Sequence, residues 1–261
     1  MWSAWTIAKR EIKSLFVSPA VYIVLGLFAL LSGVQFLLSL QRFDQLLQQA
    51  QIQAQLMKNP DALAHISLNV MLISNVVAFA FFLLLFTVPA ITMRLLSEEK
   101  SQGTYELLLT SPITAWDIVL GKFIAGVVFF SLLLVTHALF LIVMFGYGNP
   151  EPLPVLSGYL GLFCAGVSFL AIGLFASSLT KNQIIAFFVS LFLGLGLLMI
   201  GWAAQTLSGN ISKFLEAASI TFQFENFNKG LITVSGLVYF ITVWIFFLSA
   251  TRVSLQSLTR S

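Results

Sequence analysis

Residues 123–150 read FIAGVVFFSLLLVTHALFLIVMFGYGNP, a stretch without a single Asp, Glu, Lys or Arg. A helix needs about 20 mostly apolar residues to cross roughly 30 Å of hydrocarbon, and only helices or closed barrels satisfy their own backbone there. Five further charge-free stretches occur, at 14–41, 62–93, 152–180, 182–212 and 230–251. The chain therefore reads as an all-α polytopic membrane protein with six transmembrane helices, expected at 18–40, 70–93, 119–145, 156–179, 183–205 and 231–251. Composition agrees: 59% of the 261 residues are hydrophobic and 9% are charged, against roughly 25% charge in soluble domains. Mean hydropathy is +0.97.

Six crossings put both termini on one side, and the Lys/Arg bias between loops says which. Lys9, Arg10, Lys13, Arg94, Lys100, Lys122, Lys181, Arg252 and Arg260 share the side of the termini, while Arg42, Lys58, Lys213 and Lys229 lie opposite. Nine against four predicts cytoplasmic termini. The net charge of +3 thus reports topology and not a nucleic-acid surface. The first apolar stretch is too long for a signal peptide and no small-residue cleavage site follows Leu40, so it reads as an anchor. Cys164, the one cysteine, sits in an apolar run and offers neither a disulfide framework nor a Cys-rich metal site.

Four segments lie outside these spans. In 1–17, Trp5, Ala8, Ile12, Leu15 and Phe16 fall on one helical face and Lys9, Arg10 and Lys13 on another, the pattern of an amphipathic interface helix on the lipid bilayer. A basic flank that only sets topology is the plainer alternative. In 41–69, Phe43, Leu46, Leu47, Ala50, Ala54 and Met57 repeat at helical spacing up to Asn59-Pro60, predicting an extracytoplasmic helical hairpin. Its stripe packs on its own return or receives a partner.

The 94–118 segment is the densest charge cluster in the chain. Gly103 suits the end of a helical extension, Thr104 can cap a short helix, Pro112 stops it, and Thr114 with Asp117 makes a capping-box pattern opening the next span. Leu107, Leu108 and Leu109 then need a dry surface: headgroups, the base of the bundle or another protein. In 206–230, Phe214, Phe222, Phe224 and Phe227 alternate with Lys213, Glu216, Glu225 and Lys229, which fits an interfacial or re-entrant pair of short helices on the extracytoplasmic side.

Several chemistries find no residues. Gly121-Lys122 lacks the upstream glycine and following hydroxyl of a phosphate-binding loop, so no nucleotide site is expected on this chain. His65 and His137 stand apart from each other and from paired carboxylates, so no metal site is expected. No nucleophile-elbow pattern occurs, and no catalytic residue is assigned. His137 lies mid-span, a position that makes any ionisable group a functional candidate, with a hydrogen-bonded core histidine as the alternative. Gly26 and Gly33, Gly121 and Ala125, and Gly166 and Gly173 place small residues on shared faces for close helix packing.

Glu99-Lys100-Ser101-Gln102-Gly103-Thr104-Tyr105-Glu106-Leu107-Leu108-Leu109-Thr110-Ser111-Pro112-Ile113, followed by Leu120-Gly121-Lys122, resembles the signature of ABC-2-type ABC transporter permeases. Arg10-Glu11 with Ser18-Pro19, the run from Gly173 to Thr180 with Asn182-Gln183, and Phe224-Glu225-Asn226-Phe227-Asn228-Lys229-Gly230 look like its gliding-motility-associated branch, close to the nitrous-oxide-reductase maturation permease. The resemblance covers nearly the whole chain. It implies a permease subunit for ATP-driven export, with a coupling helix from about Thr104 to Thr110 docking on a separate ATPase that holds ATP and Mg, two copies of each subunit, and room for an extracytoplasmic auxiliary subunit.

A second reading is a mechanotransmission subunit that relays ATPase motion to an extracytoplasmic partner without moving a substrate. A scaffold without an ATPase is the third. Spans with few ionisable side chains argue against an ion-coupled carrier.

Overall fold

The computed structural model describes residues 2–57, 72–103, 114–148 and 150–257. They form α1 (Trp2–Val17), α2 (Pro19–Met57), α3 (Ser74–Thr92), α4 (Ser97–Ser101), α5 (Ala115–Tyr147), α6 (Pro152–Leu179), α7 (Gln183–Thr206), α8 (Asn210–Ala218), α9 (Ile220–Asn228) and α10 (Val234–Ser257), with no strand among the described residues. Six of these helices are long and apolar enough to span a membrane: α2, α3, α5, α6, α7 and α10. The breaks have local causes. Pro19 opens α2 and Pro152 opens α6, where a missing N–H costs nothing. Asn182 accepts from the Ile184 and Ile185 amides to cap α7. Thr114 and Asp117 close the reciprocal capping box that their spacing predicts.

The bundle is built around α6. Buried residues make up 83% of its most apolar stretch, against 22% for α2, α7 and α10, and it packs against α3, α5, α7, α9 and α10. Lipid tails are as apolar as leucine, so close backbone approach must supply the attraction between helices. Small residues on α6 allow it. A Cβ on Gly166 would stand 2.0 Å from Phe130 on α5, one on Gly173 2.0 Å from Thr92 Oγ1 on α3, and one on Gly161 2.5 Å from Phe227 on α9. Gly26 behaves otherwise, with nothing within 4 Å, so its pairing with Gly33 is not a packing motif inside this chain.

We call the end of the bundle where α1 packs the α1 face, and the opposite end the far face. At the α1 face, α1 lies against α5 through Ala4, Ile7, Ala8 and Leu15. Trp5 is turned away from that packed side and 53% exposed, while Phe16, 38% exposed, sets its ring edge-on to Phe129 of α5 with centres 6.4 Å apart. The apolar half of the helix thus meets protein along most of its length, with Trp5 turned outward. At the far face α2 runs on unbroken to Met57. Its 39 residues span roughly 58 Å at 1.5 Å per residue, so its last turns project past the bilayer. The return arm of that hairpin falls in 58–71, outside the described residues.

The 206–230 connection is two short helices of opposite character. Phe224 and Phe227 of α9 are buried, Phe224 stacking on Phe81 with ring centres 4.1 Å apart. Ser74 and Asn228 exchange side-chain-to-backbone hydrogen bonds of 3.2 and 3.0 Å, which pins α9 to the start of α3. In α8 nothing is buried, and Ile211 and Phe214 point outward.

The packing at α6 makes a ranked prediction. Gly173→Leu must displace Thr92 and Ser190 and should destabilise the protein by about 1–3 kcal/mol, whereas Gly26→Leu, which meets open space, should leave thermal unfolding in micelles unchanged. Equal losses for both would contradict the assigned crossing of α3 and α6.

Candidate functional site

Three helices bring four charges together at the α1 face. Lys122, two turns into α5, places Nζ 3.0 Å from Glu11 Oε1 of α1 and 3.0 Å from Glu99 Oε1 of α4. Arg10 Nη2 reaches the same two oxygens at 3.2 and 3.0 Å. Side-chain exposure is 1% for Lys122, 13% for Glu11, 15% for Glu99 and 57% for Arg10, so the lysine is the centre and the arginine the rim. Two positive and two negative groups balance. That balance matters because a charge removed from water costs several kcal/mol unless its partners replace the lost hydration.

Close approach of α1 makes the knot reachable. A Cβ on Gly121 would lie 2.8 Å from the Ala4 carbonyl and 2.8 Å from Ile7, so glycine lets α1 rest on the α5 backbone one residue before the buried lysine. On the other side α4 is bolted to the end of α6. The Leu96 and Ser97 amides each donate to Ser177 Oγ at 3.0 Å, and Ser177 Oγ donates to the Met93 carbonyl at 3.0 Å. Lys100 Nζ donates to the Ser178 carbonyl, which also accepts from Ser254 Oγ of α10 at 3.1 Å. Trp116 at the head of α5 stacks under Arg252 of α10, 5.2 Å from ring centre to guanidinium. The five-residue α4 thereby touches the bundle on two sides, with Glu99 toward α1 and α5 and Ser97 and Lys100 toward the end of α6.

From α4 the chain leaves through Gly103, whose φ of +72° is the left-handed turn that glycine adopts freely. Thr104, Tyr105, Glu106, Leu107, Leu108, Leu109 and Pro112 lie outside the described residues. The chain returns at the Thr114 cap. Both exits of the 104–113 segment are therefore held: Glu99 sits just before one and Lys122 two turns beyond the other, and they bond to each other.

Of the interface-helix residues singled out in the sequence, Arg10 alone joins the knot. Lys9 lies over the Trp5 ring at 5.8 Å and Lys13 is exposed. Glu99 was legible as part of the charge cluster, but its partners were not: Lys122 read as a topology marker and Glu11 as half of a dipeptide. The usable signal was a lysine on the same helix face as Ile118 and Ala125, both buried, which demands acids from elsewhere. At the far face, Phe224 and Phe227 are core residues, Glu225 pairs with Lys229 at 3.4 Å in the open, and Gly230 (φ +88°) turns against Pro154. His137 is buried, its Nδ1 2.5 Å from the Tyr159 hydroxyl, with Phe28 and Phe140 packed around it. No group of residues suited to a metal occurs among the described residues.

The knot separates two charges of the same sign. Lys122→Met leaves two enclosed carboxylates to the half-exposed Arg10 and should cost about 3–5 kcal/mol, while Arg10→Met should cost roughly 0–1 kcal/mol. Thermal unfolding of both variants in one detergent checks this, and equal shifts would contradict the assigned centre and rim.

A family model described as ABC-2 family transporter protein matches residues 5–256 of the chain. No curated protein matches it.

Proposed function

We propose a coupling mechanism for this chain, which belongs to the ABC-2 transporter family and is the permease membrane subunit of an ABC transporter, without ATPase activity of its own. Such a permease works with an ATPase partner. In our reading the partner binds ATP and Mg, docks on the segment from Thr104 to Thr110, and moves it with each cycle of hydrolysis. The movement reaches the bundle through Glu99 and Lys122, and α1, α4 and α5 shift as one unit. Two permease and two ATPase subunits form the working assembly, with the α1 face in the cytoplasm of a bacterial cell and export through the inner membrane.

The single observation that carries this reading is the ion-pair knot, because it joins both exits of the segment to each other and to α1. A tie of this kind transmits displacement with little slack, and it biases a two-state bundle only if the partner binds the two states differently. Leu107 and Leu108 are the anchors we assign on the ATPase, with Glu106 and Tyr105 at the rim. Arg10-Glu11 and the Phe224–Gly230 run support a finer placement near the gliding-motility-associated branch.

One feature favours the alternative of force transmission to a far-face auxiliary subunit. The part of α2 beyond the bilayer exposes Ile52 and Leu56, an apolar edge that a far-face partner could cover.

Truncating two leucines that each contribute about 1.5–3 kcal/mol when buried should weaken ATPase association roughly a hundredfold or more. Leu107→Ala/Leu108→Ala should lose ATPase co-purification and stimulated hydrolysis while its own gel-filtration profile stays that of the parent. Full association with parental turnover would contradict the docking assignment.

A further inference from the structure

A second charged feature of the α1 face lies apart from the knot. Between α2, α3 and the start of α7 runs a cleft whose apolar walls are Val21, Val24, Ala90 and Ile91 and whose rim carries Arg94 and Gln183. At about 80 Å³ it is far below the several hundred Å³ of a cargo-sized pocket. Arg94 follows the last turn of α3 and is half-buried, its Nη1 donating to Ser18 Oγ at 2.6 Å, where α1 hands over to α2.

Among the described residues its electrostatics are unbalanced. Among the described residues no carboxylate lies within 4.0 Å of Arg94. Among the described residues the acids of this face are engaged elsewhere: Glu11 and Glu99 in the knot, Asp117 in the Thr114 cap, and Glu98 with Gln102. A guanidinium presents five donors in a planar fork, and the Ser18 hydroxyl takes one. The positive end of α7 and the exposed Lys181, two residues before Gln183, add to the same field. Direct capture by the first α7 amides is not needed, since Asn182 already satisfies Ile184 and Ile185.

The surroundings are apolar and outward-facing. Val17 is 82% exposed beside Ser18, and Ile184 and Ile185 are 66% and 52% exposed beside Gln183. A ligand therefore reaches Arg94 from the hydrocarbon edge and not from open water. An anion on an apolar body meets both demands, the bidentate acceptor for the fork and the methylenes for the cleft.

We propose that Arg94 and Gln183 hold the phosphodiester of an anionic phospholipid from the leaflet at the α1 face, with its glycerol and first methylenes in the cleft between α2 and α3. The bound lipid joins the elbow at Ser18 to the ends of α3 and α7, so that bilayer charge helps fix where α1 meets the bundle. This site stands independently of the coupling mechanism.

The test is native mass spectrometry of the full-length chain, purified with its ATPase partner and delipidated, then titrated separately with phosphatidylglycerol, phosphatidylcholine and inorganic phosphate. One phosphatidylglycerol per permease should persist at concentrations where phosphatidylcholine does not, and millimolar phosphate should not displace it. Arg94→Gln should weaken that binding at least tenfold, with Arg94→Lys between the two. Ala90→Phe, which fills the cleft and leaves every charge in place, should weaken it as well. Undiminished phosphatidylglycerol binding by Arg94→Gln or by Ala90→Phe would overturn the site. Complete displacement by inorganic phosphate would show a simple anion site and overturn the lipid assignment.

Discussion

An ammonium group enclosed by protein at the edge of a membrane must find negative partners, and at Lys122 they come from two other helices. Glu11 and Glu99 both stand 3.0 Å from it, and much of the α1 face follows from meeting that demand. Helix α1 must lie on α5 so that Glu11 can reach inward, which is why Gly121 presents bare backbone to Ala4 and Ile7. The chain must turn back after α3 so that Glu99 arrives from the opposite side. Arg10 then closes the charge balance at the rim. A buried ion pair is weak evidence for stability in itself, since apolar side chains fill the same volume at lower cost. What it does fix is a particular geometry among three separate helices.

Packing inside the bilayer serves the same end by different means. Helix α6 is the axis on which α3, α5, α9 and α10 close, and the glycines at 161, 166 and 173 let Phe227, Phe130 and Thr92 of three neighbours rest on its backbone. Its polar end, Ser177 and Ser178, hydrogen-bonds the turn after α3, the Lys100 ammonium and Ser254 of α10. The axis and the knot meet through α4, which gives Glu99 to the knot and Ser97 and Lys100 to the axis. Displacement entering at Gly103 or Thr114 thus has a continuous hydrogen-bonded and ionic route to the axial helix.

Much of this was legible in the sequence wherever one local rule decides. Charge-free stretches mark six spans because a bilayer tolerates little else, and Thr114 with Asp117 marks a helix start because the capping box is built from neighbours in sequence. The match over residues 5–256 supports the family that the charge cluster and its flanking motifs suggested. What escaped depends on contacts between distant residues. Nothing near Lys122 in sequence announces Glu11, which is 111 positions away. Helical periodicity put Trp5 on the same face as Ala8, but lipid and protein are both apolar partners, and a wheel cannot tell which stripe meets which. For the same reason Phe224 and Phe227 read as interfacial, whereas α9 folds them into the core against Phe81 and Phe240.

The central claim is that Glu99 and Lys122 act as one element in passing ATPase motion to the bundle. A double-mutant cycle on ATP-driven transport tests it, with Glu99→Gln, Lys122→Met and the double variant assayed in proteoliposomes together with the ATPase partner and normalised for folded protein. Groups that act together are non-additive. The account predicts that each single variant loses transport-coupled hydrolysis and that the double variant loses no more than Lys122→Met alone. Losses that multiply across the two sites would show that each acts separately, and would contradict it.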